Sequence, residues 1–162
     1  MLHHVSVGVQ DVARAATFYD PVLKALGYKR VMEFMPYAIG YGERGGHPEF
    51  WIQLPHNQKT STAGNGTHVG FAARTKAQVN AFHSAALAAG GSNDGEPGPR
   101  PDYGPEYYGA FIYDLDGNKI EATLHVLVKD VAKAAAKKPA KKAKKAKKAK
   151  AKKSPAKKKK RR

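Results

Sequence analysis

His4-Val5-Ser6-Val7-Gly8-Val9 alternates residue by residue and returns 64 positions later as His68-Val69-Gly70-Phe71-Ala72-Ala73. A period of two marks a strand with one buried face, here Val5, Val7 and Val9 in the first copy and Val69, Phe71 and Ala73 in the second. A helical period follows each copy. Asp11 is placed to cap a helix carrying Val12, Ala15, Ala16 and Phe18. Pro21 is expected to break that helix and restart it before Val22, Leu23 and Leu26, and Gly27 to end it. The second helix enters through Thr75, with Gln78 three residues on as a capping box. Both copies share one ungapped register, which aligns His4 with His68, Val5 with Val69, Phe18 with Phe82, Leu23 with Leu87, and the helix-ending Gly27 with Gly91. Agreement at these positions in a single register marks a duplicated module.

Strands follow each helix. In the first copy they fall at residues 30–34, 37–41 and 49–54, separated by Pro36 and by the turn Gly42-Glu43-Arg44-Gly45-Gly46. In the second, a Gly/Pro-rich loop over residues 91–105 leads to a strand at 107–114, a hairpin turn Leu115-Asp116-Gly117-Asn118 and a last strand at 119–126. Each module therefore reads strand, helix, then two or three strands.

Burying the apolar face of each first strand against its helix turns His4 and His68 to the opposite, concave face. In the last strand Ile120, Ala122 and Leu124 share the apolar face, and Glu121 points the other way. Trp51 and Gln53 likewise stand opposite Phe50, Ile52 and Leu54. Two imidazoles and a carboxylate facing one cavity supply three ligands to a divalent metal and leave positions for water and substrate. Taken singly, each residue reads more simply as an ordinary strand histidine or a surface carboxylate. The matched placement of His4 and His68 on matched strands favours the metal. His3, His47, His56, His83 and His125 have no converging partners in this pattern and read as surface residues.

At these residues the chain resembles the vicinal oxygen chelate superfamily, which includes glyoxalase I, extradiol dioxygenases, fosfomycin resistance enzymes and bleomycin-binding proteins. The likeness covers about residues 2–126. His4-Val5, Asp11-Val12, Phe18-Tyr19, Val22-Leu23 and Leu26-Gly27 carry it in the first module. His68-Val69 and Asp114-Leu115-Asp116-Gly117-Asn118-Lys119-Ile120-Glu121 carry it in the second. The resemblance implies an α+β fold of paired βαβββ modules forming a curved mixed sheet around a central cavity. It implies His4, His68 and Glu121 as metal ligands, with Gln53 where glyoxalase I carries a further ligand, usually glutamate. An amide oxygen coordinates without adding charge, so this set would hold a divalent ion (Zn, Ni, Fe, Mn or Co) with one carboxylate, more weakly than with two. Gln53 cannot act as a base, which leaves Glu121 as the catalytic proton acceptor. The implied activity is that of a metal-dependent lyase of the lactoylglutathione lyase type acting on a small oxygen-chelating substrate. A metal-free binding protein of the bleomycin-binding kind is the alternative. An extradiol-type dioxygenase is a third reading: His4, His68 and Glu121 match its triad, but its acid and base residues have no counterpart that can be placed. Family members pair modules within and between chains, so a homodimer is compatible with the sequence.

The segment Pro99-Arg100-Pro101-Asp102-Tyr103-Gly104-Pro105-Glu106-Tyr107-Tyr108 is the expected substrate mouth. Arg100 offers a guanidinium for a carboxylate, and Tyr103, Tyr107 and Tyr108 offer rings to stack on a ligand; Trp51, on the cavity-facing side of its own strand, is a further substrate-binding candidate. The segment's plainer reading is a stiff, proline-braced loop.

Residues 129–162 have another composition altogether. Of 29 Lys and Arg, 19 lie there, with Asp130 the one acidic residue among the chain's 13; residues 1–128 keep 10 basic and 12 acidic side chains. A mildly acidic domain over residues 1–128 thus carries a polycation over 129–162, and the overall net charge of +16 describes neither. Every Trp, Tyr and Phe lies in the domain, so only that part can outweigh the entropy cost of ordering. Repeated Lys-Lys-Ala puts like charges all round a helix and predicts a disordered tail. It resembles the tails of linker histones and of some bacterial nucleoid proteins, which implies sequence-independent phosphate binding with counterion release. Without aromatic residues it has nothing with which to specify bases. The plainer reading is a solubilising or localising extension. No run of about 18 apolar residues offers a membrane span, and the opening MLHHVSVGVQ lacks the basic start of a signal peptide. The expectation is a cytoplasmic protein, nucleoid-associated through its tail, or nuclear in a eukaryotic host. With no cysteine, disulfides and thiolate zinc sites are excluded.

Overall fold

Both copies of the repeat fold as strand, helix and three strands. The computed structural model describes residues 2–124. The first module contains β1 (Val5–Gly8), α1 (Val12–Leu26), β2 (Lys29–Phe34), β3 (Ala38–Gly42) and β4 (Phe50–Gln53). The second contains β5 (His68–Ala73), α2 (Lys76–Ala88), β6 (Ser92–Pro99), β7 (Tyr108–Tyr113) and β8 (Lys119–Leu124), with a 3₁₀ turn at Pro101–Tyr103. The sheets run β1-β4-β3-β2 and β5-β8-β7-β6, the first strand of each pairing in parallel with the last. This is the expected α+β fold, with β1 and β5 as matching edges.

Local chemistry sets the helix starts. Asp11 Oδ1 accepts from the Arg14 amide at 2.7 Å, and Thr75 Oγ1 accepts from the Gln78 amide at 3.2 Å. Gln78 returns its bond to the amide of Arg74, one residue before the cap. The valine faces then pack inward: Val7, Val9, Phe71 and Ala73 are buried, with Phe50 edge-on to Phe71 at 5.0 Å joining the core of one module to the other. A polar clasp reinforces the joint. Asp114 accepts from the Asn118 amide at 2.7 Å and from the Tyr19 hydroxyl at 2.7 Å, while Asn118 Nδ2 donates to the Gly8 carbonyl at 3.1 Å.

The structure departs from the sequence reading at four places. First, α1 runs unbroken through Pro21. Pro21 withholds an N–H from the helix, a cost on the order of 3 kcal/mol. Val22, Leu23 and Leu26 beyond it are all buried, each contributing about 1.5–3 kcal/mol, so continuing the helix is favoured.

Second, the repeat slips by one residue at the end of α2. Gly27 closes α1 with φ 95°, and Tyr28 N bonds to Leu23 O. The residue in that role after α2 is Gly90, φ 91°, with Gly91 N bonding to Ala86 O. Ala86 (0% exposed) therefore takes the place of Leu23 (1%), and Leu87 is 41% exposed. Gly91 is required for another reason, since a Cβ there would stand 2.7 Å from the Phe18 ring and 2.9 Å from the Tyr113 carbonyl oxygen.

Third, much of the expected loop over residues 91–105 is strand β6. Its prolines are tolerated because β6 is a sheet edge, bulged between Asn93 and Gly95 and between Gly95 and Gly98. Fourth, His83 is not a surface residue. It is buried on α2 with Nε2 2.8 Å from Asn93 Oδ1, a partner supplied by β6. His125 and the polycation at 129–162 lie outside the described residues. Among the described residues, no helix is long and apolar enough to cross a membrane.

Candidate functional site

In the second module the site is built around a buried carboxylate. Glu121 on β8 is 3% exposed and sits between Gly70 on β5 and Phe111 on β7. Two glycines make its room: a Cβ on Gly109 would stand 2.9 Å from Oε1, and one on Gly70 would stand 3.6 Å from Oε2. The Tyr107 hydroxyl donates to Oε1. Oε2 lies 3.4 Å from Nε2 of His68, whose ring is half exposed. Burial, then the bond to Glu121, pushes the Tyr107 phenol above its ordinary pKa, so the phenol keeps its proton and the carboxylate accepts.

Cations line the same face. The Phe111 ring, 6.5 Å from that of His68, has the Arg100 guanidinium at 5.5 Å and the Lys119 ammonium at 5.2 Å. Lys119 is paired with Asp94 at 2.6 Å. Arg100 instead folds back on β6, donating to the carbonyls of Glu96 at 2.7 Å and Pro99 at 3.2 Å. Cβ atoms on Gly95 or Gly98 would crowd this guanidinium at 3.2 and 3.1 Å, so the two bulge glycines make its seat. Among the described residues its partners are carbonyls and no carboxylate pairs with it.

In the first module His4, Ser6, Phe34, Ala38, Trp51 and Gln53 line a depression of about 230 Å³. Trp51 is half-buried and stacks on Phe34, centroids 6.1 Å apart and planes 14° apart. Gly40 lets the indole lie close to β3, because a Cβ there would be 3.0 Å from the ring. His4 Nδ1 is 2.9 Å from His3 Nδ1, and the His3 ring is 4.8 Å from that of His47. His3 and His47 are exposed, as expected, but His3 stands against His4, with the His47 ring on His3.

The chain thus pairs His68 with Glu121 and His4 with Gln53. Among the described residues, no three His, Cys, Asp or Glu converge as a metal site. Each pair supplies one imidazole and one oxygen donor, too few for a divalent ion, whereas the two pairs together supply a set such an ion accepts. Of the expected substrate residues, Tyr103 is 66% exposed and edge-on to Tyr107 at 5.3 Å. Tyr108 faces away, its hydroxyl bonded to Asn80 on α2 at 2.9 Å and its ring under the Lys76 ammonium. Phe34 and Gly109 carry no local sign in the sequence of the places they take. Phe34 acquires its role from a strand 17 residues away, and Gly109 only from the side chain it admits.

No curated protein matches the chain. Among solved structures, a glyoxalase/bleomycin resistance protein from Albidiferax ferrireducens is 39% identical with a TM-score of 0.67, over 75% of this chain and 97% of that one. A glyoxalase-related enzyme from Fulvimarina pelagi (20% identity, TM-score 0.61, 77% and 88% of the two chains) shares the fold. So does lactoylglutathione lyase from Agrobacterium tumefaciens (18%, 0.54, 76% and 92%). Residues 1–122 match the glyoxalase/bleomycin resistance protein/dioxygenase superfamily, and together with the paired βαβββ modules this match means that the chain belongs to that superfamily.

Proposed function

We propose that the protein is a metal-dependent enzyme of glyoxalase I type whose site is completed by a second copy of the chain. His4 and Gln53 of one copy would join His68 and Glu121 of the other. The observation that carries this reading is the buried Glu121 carboxylate, which keeps Oε2 beside His68 while His4 and Gln53 lie on another sheet of the same chain. Met32, Phe34, Met35 and Tyr37, exposed by 43 to 67% around the His4 depression, offer the apolar surface a second copy would cover.

When bound, a divalent ion supplies electrophilic polarisation of a substrate's paired oxygens. Glu121 Oε2, a ligand at rest, would leave the ion to take the proton from the substrate's hydroxyl-bearing carbon and return it to the neighbouring carbonyl carbon, the hydroxyl proton passing to the other oxygen. Arg100 holds an anionic end of the substrate, and Trp51 with Phe34 covers an apolar part. Gln53 contributes no charge, so the pocket keeps one more positive charge than a two-carboxylate site. The polycation at 129–162 tethers this chemistry to nucleic acid by phosphate contacts without reading sequence.

The full-length chain, stripped and then reconstituted with Zn, Ni or Co, is measured for metal content and for isomerisation of the methylglyoxal–glutathione hemithioacetal. About one equivalent per chain is expected, with turnover lost in Glu121→Gln; less than about a tenth of an equivalent sinks the metal reading. The stacked Phe34–Trp51 pair would then favour a second reading, a metal-free protein that sequesters a planar compound.

A further inference from the structure

Tyr107 does more than line a substrate mouth. Its backbone is tied into the turn that presents it: Arg100 N bonds to Tyr107 O at 3.0 Å, Tyr107 N to Gly104 O at 3.2 Å, and Gly104 N to Pro101 O at 3.1 Å. Gly104 has φ 144°, a conformation that favours glycine. The ring is braced edge-on by Tyr103 and lies against Gly109, where a Cβ would stand 3.2 Å from it. From this fixed seat the hydroxyl reaches Oε1 of Glu121, the oxygen that points away from His68.

We propose that Tyr107 is a positioning residue: by occupying Oε1 it locks the Glu121 carboxylate so that Oε2 alone is presented beside His68. The inference rests on the metal reading for its consequence, because a carboxylate held by one oxygen offers the other as a single, oriented ligand. Without the phenol the carboxylate is free to turn about its last torsion, and its buried Oε1 loses its partner.

The test uses the full-length chain with Tyr107→Phe, Glu121→Gln and the double variant, Zn and Ni affinities being read by chelator competition and stability by urea unfolding of the metal-free proteins. Tyr107→Phe is expected to weaken metal binding about 10- to 100-fold. It is also expected to lower the folding equilibrium constant at least about fivefold more in the parent chain than in the Glu121→Gln background, since only the carboxylate loses a charge-assisted bond. Metal affinity within about twofold of the parent chain overturns the proposal. If the parent chain takes up no metal, the metal reading fails, and the unfolding cycle decides the positioning: additivity within about twofold overturns it. A Tyr107→Phe chain that folds only together with Glu121→Gln is the same coupling in extreme form. If neither folds, the hydroxyl serves something other than Glu121 and the proposal is wrong.

Discussion

Gly109 stands where any side chain would collide with Glu121, since a Cβ there would lie 2.9 Å from Oε1 and 3.4 Å from the carbonyl oxygen of Ala122. Bare backbone on β7 is thus one wall of the carboxylate pocket. Gly109→Ala is expected to cost about 1–3 kcal/mol by overpacking and to displace Glu121 from His68. Urea midpoints and metal content measure the two effects. An unchanged midpoint with full metal uptake would show that the wall yields.

Tyr19 and Asp114 are joined through the core at 2.7 Å. Tyr19→Phe removes one of the two donors to the buried Asp114 Oδ2, leaving Asn118 Nδ2 at 2.9 Å, and the lost charge-assisted bond is expected to cost about 1–3 kcal/mol in urea unfolding.

The same residue predicts alkaline behaviour. Burial, then the charge of Asp114, pushes the Tyr19 phenol well above its usual value of 10.0, so the folded chain keeps a proton that the unfolded chain releases. Its stabilisation is complete below pH 10.0 and declines above it, by up to about 1.4 kcal/mol per pH unit. Unfolding followed from pH 8 to about 11 should fall less steeply in Tyr19→Phe than in the parent chain; equal slopes would contradict this assignment.

Sharing of sites between copies is open to complementation. His4→Ala and Glu121→Gln chains each lack every complete site as pure dimers. In a mixed dimer, one site combines His4 and Gln53 from the second variant with His68 and Glu121 from the first. Equal mixtures, allowed to exchange, should recover about a quarter of the parent metal content and turnover. No recovery despite demonstrated exchange would place each site within one chain.

Deleting residues 129–162 removes 19 of the 29 basic side chains. DNA affinity in filter binding should fall to background, and the steep dependence on salt should vanish with it. Turnover on the small substrate should be unchanged. Residual salt-sensitive binding by the shortened chain would assign the nucleic-acid contact elsewhere.

Most of the fold was legible because its signals are local. The two-residue period of β1 and β5 announced their buried faces, and Asp11 and Thr75 announced the helix starts. The structure differs where a distant contact overrides a local rule. Pro21 breaks helices in general, but this one is secured by buried side chains on both sides of it. The Pro- and Gly-rich run became β6 because β7 offered it an edge to pair with, and that strand then supplied the partner that keeps His83 inside.

The sequence by itself determined the duplication, the α+β modules, and which residue types face away from each buried surface, because strand and helix periods are properties of neighbouring residues. Only the tertiary structure decided that Glu121 is held by Tyr107, that Gly109 admits it, that Arg100 is seated over Phe111, and that His4 and Gln53 stand on a different sheet from His68 and Glu121. The physical reason is that a period specifies the face of an element. Which faces meet depends on how modules pack, and two copies of one repeat carry no local mark of which copy they will close against.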